Sequence, residues 1–531
     1  MEKKDIVNSI LNGETSLGIE LGSTRIKSVL IAKDTSVIAK GSFSWENRLE
    51  NKLWTYRLED AVRGMQSSYA DLADDVKTRY DVEITKVGAI GISGMMHGII
   101  ALDKSDKQLA PFLTWRNTNT SEAAENLTAL FDFNIPLRWT IAQLYQAILN
   151  KEPYVKDIAY VSTLSAYIHY LLTGNKVVGI GEASGMFPID STVLDFDQKM
   201  VDKFDTLLSE GGYDFSLRDI FPKVMVAGEE AGVLTEEGAR LLDPSGKLQA
   251  GIPLVAPEGD AGTGMVATNS VGSRTGNVSA GTSIFAMVVL EKKLSRLYRD
   301  IDMVTTPDGK PVAMVHCNNG TSEFDQWFNL FRELMQSLSL AVKDSELYEA
   351  MYQSSLNGDS DCSDIIYYNY LSGEPVTGLI DGRPLMVRKP ESKFTFSNFM
   401  RSQLYSIFAS LYIGNQILVK ENVTIDRLTG HGGMFKAKGV AQRYLSASMN
   451  APVTVMETAG EGGPFGMALL ASFLIWREKG QGLDEYIETK AFADAKSSSL
   501  MATKEDIAGF RKYIQNYCNL LETEKSSVER L

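Results

Sequence analysis

The chain has 531 residues, 44% hydrophobic and 23% charged. That is room for roughly two to four domains, and too ordinary a composition for a disordered, collagen-like or disulfide-framed protein. Lysine and arginine number 53 against 67 acidic residues, a net charge of −14, which repels phosphate backbones and anionic lipid surfaces and argues against nucleic-acid or membrane-surface binding. The three cysteines, Cys317, Cys362 and Cys518, are odd in number and lack metal-ligand spacing, which fits a reducing cytoplasm.

In chain order, the opening MEKKDIVNSILNGETS lacks the apolar core and small-residue cleavage site of a secretory signal. The uncharged run 87–102 has 16 residues and four glycines, short of the ~20 needed to span a bilayer. Residues 17–31 (LGIELGSTRIKSVLI) read as two apolar strands joined by a Gly-Ser-Thr turn, a hairpin opening a domain. Helical spacing follows over 54–79. Residues 87–92 and 99–102 read as short buried strands around a polar Ser-Gly-Met-Met-His-Gly connection facing a cleft.

A second hairpin is expected at 276–289 (GNVSAGTSIFAMVV), and placing Gly281 on Gly22 aligns Thr282 with Ser23 and Ser283 with Thr24, 259 residues apart. Alternating strand and helix signals in both halves suggest a duplicated α/β domain with a cleft between copies. Two short apolar hairpins also match by chance, so the residues alone leave duplication open. Further on, an amphipathic helix starts near Glu323 with Ser322 as its N-cap and Phe324, Trp327, Phe328, Phe331, Leu334 and Met335 on a core face. A helix over 437–449 and a strand over 452–456 follow. Thr503 with Asp506 forms a capping box before a last helix carrying Phe510, Tyr513 and Tyr517.

Four blocks stand in order: IELGSTRIK at 19–27, GISGMMHG at 91–98, PEGDAGTG through SAGTS at 257–283, and TGHGGMFKAKGVAQ at 429–442. Together they resemble the FGGY carbohydrate kinases, closest in motifs to the xylulokinase branch, over roughly residues 16–522. The resemblance implies an α/β fold of two duplicated ribonuclease-H-like (actin/hexokinase-like) domains with an interdomain cleft: 16–265 as the sugar-binding lobe and 266–522 as the nucleotide-binding lobe.

Phosphoryl transfer asks for positioning and charge neutralisation more than covalent chemistry. The resemblance implies that Gly22, Ser23 and Thr24, with Gly281, Thr282 and Ser283, cradle ATP phosphates through backbone N–H groups and hydroxyls; alone, both are ordinary hairpin turns. It gives Lys27 the task of offsetting charge on the transferring group. Glu20 stands where the family has an aspartate reaching Mg2+ through water, and its extra methylene alters that geometry. Asp260, otherwise a turn aspartate between Gly259 and Gly262, matches the catalytic base. The GxGxxA of 262–267 lacks the later acidic residue of a dinucleotide site and is discounted. Gly432 and Gly433 match the seat of adenosine, while Gln442, Glu461 and Gly466 match other family positions.

On the sugar side, Met96, His97 and Gly98 resemble the Met-His-Gly of the xylulokinase branch, where the histidine contacts a sugar hydroxyl; by itself His97 reads equally as a satisfied core histidine. Trp115 belongs to a family segment usually reading Trp-x-Asp-x-Arg, in which Asn117 and Asn119 replace both charges here; the resemblance implies that Met96, His97, Trp115, Asn117, whose amide can still hydrogen-bond a hydroxyl, and Asp260 bind the sugar. The implied activity is transfer of the γ-phosphoryl group of ATP to a primary hydroxyl of a pentulose-like, xylulose-type sugar, with Mg2+, in the cytoplasm. Gluconate, ribulose, fuculose or glycerol remain alternative acceptors, and a weakly catalytic sugar or nucleotide sensor remains an alternative role. Partners are the sugar and ATP, with no nucleic acid or membrane, and a homodimer is left open.

Overall fold

The computed structural model describes residues 2–456 and 462–531. Its contacts divide into two compact units, one of residues 1–271, 302–312 and 461–495, the other of residues 272–301, 313–460 and 496–531. Two segments from late in the chain therefore pack with the first unit.

The first unit is built on β1 (Thr15–Leu21), β2 (Arg25–Ala32), β3 (Val37–Ser44), β4 (Ala89–Gly94), β5 (Glu230–Val233), β6 (Pro253–Val255) and β7 (Glu258–Gly259). Its strand order is β3-β2-β1-β4-β6-β5, with β7 also on β4. β1, β2 and β3 are antiparallel neighbours, β4 lies parallel to β1 and β6 parallel to β4, and β5 turns antiparallel at the edge. Side chains alternate between sheet faces, and register decides which helix covers which face. Ile19, Ser28 and Gly41 are successive partners on one face. Ser28 Oγ donates to the Ser68 carbonyl of the Leu58–Tyr80 helix at 2.7 Å, and a Cβ on Gly41 would stand 2.0 Å from that oxygen. Gly18, on the other face, would put a Cβ 2.1 Å from the Pro464 carbonyl of the Gly462–Trp476 helix. Leu17, Ile19, Leu30 and Ile90 are among the buried core.

In the second unit, β8 (Thr275–Ala280), β9 (Ile284–Val289), β10 (Pro311–Cys317), β11 (Arg427–His431), β12 (Val453–Met456) and β13 (Ser497–Leu500) follow in chain order. Their succession across the sheet is β10-β9-β8-β11-β12-β13. An antiparallel hairpin, two parallel additions and an antiparallel edge strand recur here, so both units follow one plan.

Three boundaries differ from expectation. The helix expected over 54–79 begins at Leu58, because Leu53–Thr55 pair with Arg48–Glu50 as a small hairpin. The expected Ser322 cap is displaced to Thr321, with no side-chain cap bond, and the stripe is only partly core. Phe324 and Phe328 are buried, whereas Leu334 is half exposed where the Ser322–Ser337 helix outruns the aromatic cluster. The helix expected from 437 starts at Val440, after a 3-10 turn over Gly433–Lys436. The Thr503–Asp506 cap forms, with Thr503 Oγ1 accepting the Asp506 N–H at 3.1 Å.

Candidate functional site

In the first unit the β1–β2 turn carries Gly22, Ser23 and Thr24, closed by Gly22 N–H donating to the Arg25 carbonyl. Its carbonyls are bound by the protein. Trp45 Nε1 donates to Gly22 O at 2.7 Å, Tyr56 Oη to Ser23 O at 2.6 Å, and Trp45 N–H to Thr24 O. An anionic oxygen approaching the turn meets donors and hydroxyls rather than competing lone pairs. Glu20 and Lys27 are cross-strand partners, so their ion pair at 3.1 Å follows from register. Glu20 is buried beside the start of the Gly462–Trp476 helix, where a Cβ on Gly463 would stand 2.3 Å from Glu20 Oε1. A carboxylate at a helix N-terminus is favoured by the helix dipole.

Asp260 reaches this corner through β7. Glu258 and Gly259 pair with Ser93 and Gly94 of β4, which places Asp260 at the start of the Asp260–Ala267 helix, its Oδ1 accepting the Met96 N–H at 3.1 Å. Burial, followed by the neighbouring Glu20 charge, pushes its carboxyl up to about 6. Two more carboxyls lie behind it. Glu258 accepts the backbone N–H groups of Gly181 and Glu182, yet burial still pushes it up to about 8. Burial holds Glu182 well above the usual carboxylate range, and its Oε2 lies 2.3 Å from where a Gly259 Cβ would be. Sequence reasoning missed Glu182, Trp45 and Tyr56; the charge of Glu258 inside PEGDAGTG was the one visible signal.

Met96 and His97 are buried after β4, and His97 and Gly98 both adopt positive φ, 70° and 85°. For histidine that is a strained conformation, held by its surroundings. The His97 ring meets the Gly185 carbonyl through Nδ1 at 3.3 Å and stacks near Trp139. Trp115 is exposed and donates from Nε1 to Ser23 Oγ at 3.2 Å, so the 114–119 segment touches the β1–β2 turn. Asn119 is exposed as well. Asn117, expected to present its amide to substrate, is buried. Its Oδ1 accepts the Trp54 N–H, while Nδ2 donates to the Trp54 and Thr114 carbonyls at 2.8 and 3.1 Å. That amide is spent on clamping backbone.

In the second unit Gly281, Thr282 and Ser283 form the β8–β9 turn, and here too the carbonyls are bound. Thr321 N–H donates to Gly281 O and Gly320 N–H to Thr282 O, both at 2.8 Å. These are the positions tied by Trp45 and Tyr56 in the first unit, now held by backbone. The parallel pairing of Ser279 with His431 brings Gly432 to this turn from 150 residues away. Gly432 has φ 104°, and a Cβ on it would stand 2.4 Å from Ala280 O; a Cβ on Gly433 would meet nothing within 4 Å. Only glycine fits the first position, and the second faces open space. Gln442 stitches helix to sheet through Val453 O and Ser498 O. Gly466 lets its helix lie on Thr263, and Glu461 lies outside the described residues. A cavity of about 640 Å³ elsewhere in this unit is lined by Asp361, Asp364, Lys389, Arg401 and Lys512, whose charges are paired with one another or with Asp506.

Two copies of one sheet plan, each opened by a glycine-hydroxyl turn whose carbonyls are bound by the protein, are the architecture of the actin/hexokinase-like fold. The FGGY family of carbohydrate kinases matches through its N-terminal domain model over residues 15–267 and its C-terminal domain model over residues 276–475. The chain belongs to that family and is a sugar phosphotransferase. A xylulose kinase of Haemophilus influenzae is 23% identical over 456 residues, covering 84% of this chain and 85% of that protein. Among solved structures, a ligand-bound xylulose kinase from Lactobacillus acidophilus superposes with a TM-score of 0.79 at 17% identity, covering 97% of this chain and 99% of the other. A gluconate kinase from the same organism gives 0.78 at 18%, covering 96% and 98%.

Proposed function

We propose that the protein transfers the γ-phosphoryl group of ATP to a primary hydroxyl of a xylulose-type pentulose, with Mg2+. The observation that carries this reading is the bond from the Met96 N–H to Asp260 Oδ1, which joins the base to the Met-His-Gly turn. The Asp260 carboxylate takes the proton of the sugar hydroxyl as its oxygen bonds to the γ-phosphorus and the bond to the bridging β-phosphate oxygen breaks. A base raised to about 6 accepts that proton more readily than an ordinary carboxylate while staying ionised at neutral pH. Within the first unit, Gly22, Ser23 and Thr24 are read as phosphate-binding; within the second, Gly281, Thr282 and Ser283 are read likewise, with Gly432 and Gly433 as the seat of adenosine. Lys27 offsets charge on the transferring group. Met96, His97 and Trp115 contact the sugar, with Asn117 shaping their segment from behind.

Magnesium fits the residues present. It needs one or two carboxylates beside phosphates and waters, and Glu20 and Asp260 are close enough for one to raise the other. Bound with ATP, the ion neutralises phosphate charge. The free thiols of Cys317, Cys362 and Cys518 support a cytoplasmic setting.

The test is ADP release across a panel of xylulose, ribulose, fuculose, gluconate and glycerol. Release that depends on sugar and is fastest with xylulose supports the reading. A stronger response to another sugar replaces the acceptor, and binding without release makes the protein a sensor.

A further inference from the structure

Behind the β8–β9 turn lies a buried carboxyl that the mechanism above does not use. Glu374 is fully buried; its Oε1 accepts the Asn318 N–H at 3.3 Å, and its Oε2 accepts the Asn319 N–H at 3.2 Å and Asn319 Nδ2 at 3.0 Å. Asn319 Oδ1 in turn accepts the N–H groups of Leu371 and Ser372, and Asn369 Nδ2 donates to the carbonyls of Asn319 and Gly320. The segment held in this way supplies the Gly320 and Thr321 N–H groups that bind Thr282 O and Gly281 O. Contact there is as close as backbone allows: a Cβ on Gly320 would stand 2.1 Å from Gly281 O.

We propose that Glu374 is the positioning residue of the nucleotide-phosphate turn: by anchoring residues 318–321 it sets the donors that bind the carbonyls of Gly281 and Thr282, and so aims the turn's own donors at the triphosphate. The inference rests on the reading of that turn as a phosphate cradle. The arrangement asks for an acceptor-only group, because all three partners of Glu374 donate, and an ionised carboxylate is such a group. Burial pushes Glu374 up to about 7 against the pull of those donors. The ionisable groups facing it are the Cys317 thiol and the Tyr370 phenol, both kept neutral by burial. As pH falls through about 7, Glu374 gains a proton, turns a donor toward donors, and the turn loses its support.

The test compares wild type with Glu374→Gln, whose amide presents N–H groups to the same donors. The KM for ATP should rise about tenfold at alkaline pH, the worth of one charge-assisted bond, with the KM for sugar little changed. The gap between variant and wild type should then close as pH falls through about 7, which a purely structural residue would not produce. Glu374→Asp, keeping the acceptor one methylene short, should raise the KM for ATP less and retain the pH dependence, so the question stays answerable if the glutamine variant folds poorly. A Thr282→Val, Ser283→Ala double variant separates the two layers of the argument. If it raises the KM for ATP while Glu374→Gln leaves that KM as in wild type, the positioning role is wrong and the cradle stands. If the double variant leaves the KM for ATP unchanged, the cradle falls and the positioning role with it.

Discussion

Asp260 owes its raised carboxyl first to burial and next to Glu20, and the role proposed for it then gives activity a pH dependence of definite direction. As the proposed base, Asp260 accepts a proton only when ionised, so kcat/KM for sugar should fall as pH drops through about 6, measured as an acid limb in a pH profile. Asp260→Asn keeps the shape and loses the charge. Turnover should drop ~10²–10⁴-fold with the melting temperature little changed, and wild-type turnover would remove Asp260 from the chemistry. Asn117 makes a contrasting case. Its Nδ2 faces the carbonyls of Trp54 and Thr114, so Asn117→Asp sets a carboxylate against two acceptors. A loss of ~1–3 kcal/mol in thermal unfolding is expected, whereas a shift of sugar preference without destabilisation would place this side chain in the pocket.

Among elements, the adjacent glycines after β11 separate backbone need from open space. Gly432 has a positive φ and sits against Ala280 O, so Gly432→Ala should cost ~1–3 kcal/mol of stability through strain and overlap. Gly433 faces nothing within 4 Å, so Gly433→Val should melt as wild type does while raising the KM for ATP about tenfold or more, by filling space proposed for adenosine. An unchanged KM for ATP would move the nucleoside elsewhere. The β1–β2 and β8–β9 turns show the same logic with different materials. Side chains of Trp45 and Tyr56 tie the first, while the N–H groups of Gly320 and Thr321 tie the second.

For the whole molecule, the recurring sheet plan puts corresponding loops at corresponding strand ends. Met96, His97 and Gly98 leave β4 where Gly432 and Gly433 leave β11, each strand parallel to the first strand of its hairpin. Ligands of α/β sheets gather at the carboxyl ends of strands, and duplication supplies two such ends, one read here for sugar and one for nucleotide. Stability in the second unit leans on one buried ion cluster. Asp506 takes Arg401 at 2.6 Å and Arg443 at 2.7 Å, fixing the Lys504–Asn519 helix to the Phe396–Lys420 and Val440–Met449 helices. Removing Arg401 leaves a buried carboxylate half paired. Arg401→Leu should therefore cost ~3–5 kcal/mol, seen as a lower melting temperature of the full chain, and an unchanged melt would make the cluster dispensable.

The features legible in the sequence were those written locally. Glycine-hydroxyl turns between aliphatic runs announced both hairpins, and the spacing of four blocks announced the family, because a turn or a strand is specified by neighbours along the chain. The tertiary structure decided what those residues meet. Asn117 looked like a substrate ligand until Trp54 occupied its amide. Glu182 and Glu374 showed no pattern, since a carboxylate reads as surface until the fold buries it and brings donors or neighbouring acids from segments 50 or more residues away. Local chemistry thus set the turns and strands of this protein, while burial and long-range pairing set the charge of Asp260 and the support behind each glycine-hydroxyl turn, because desolvation and side-chain-to-backbone bonds exist only once distant segments share one interior.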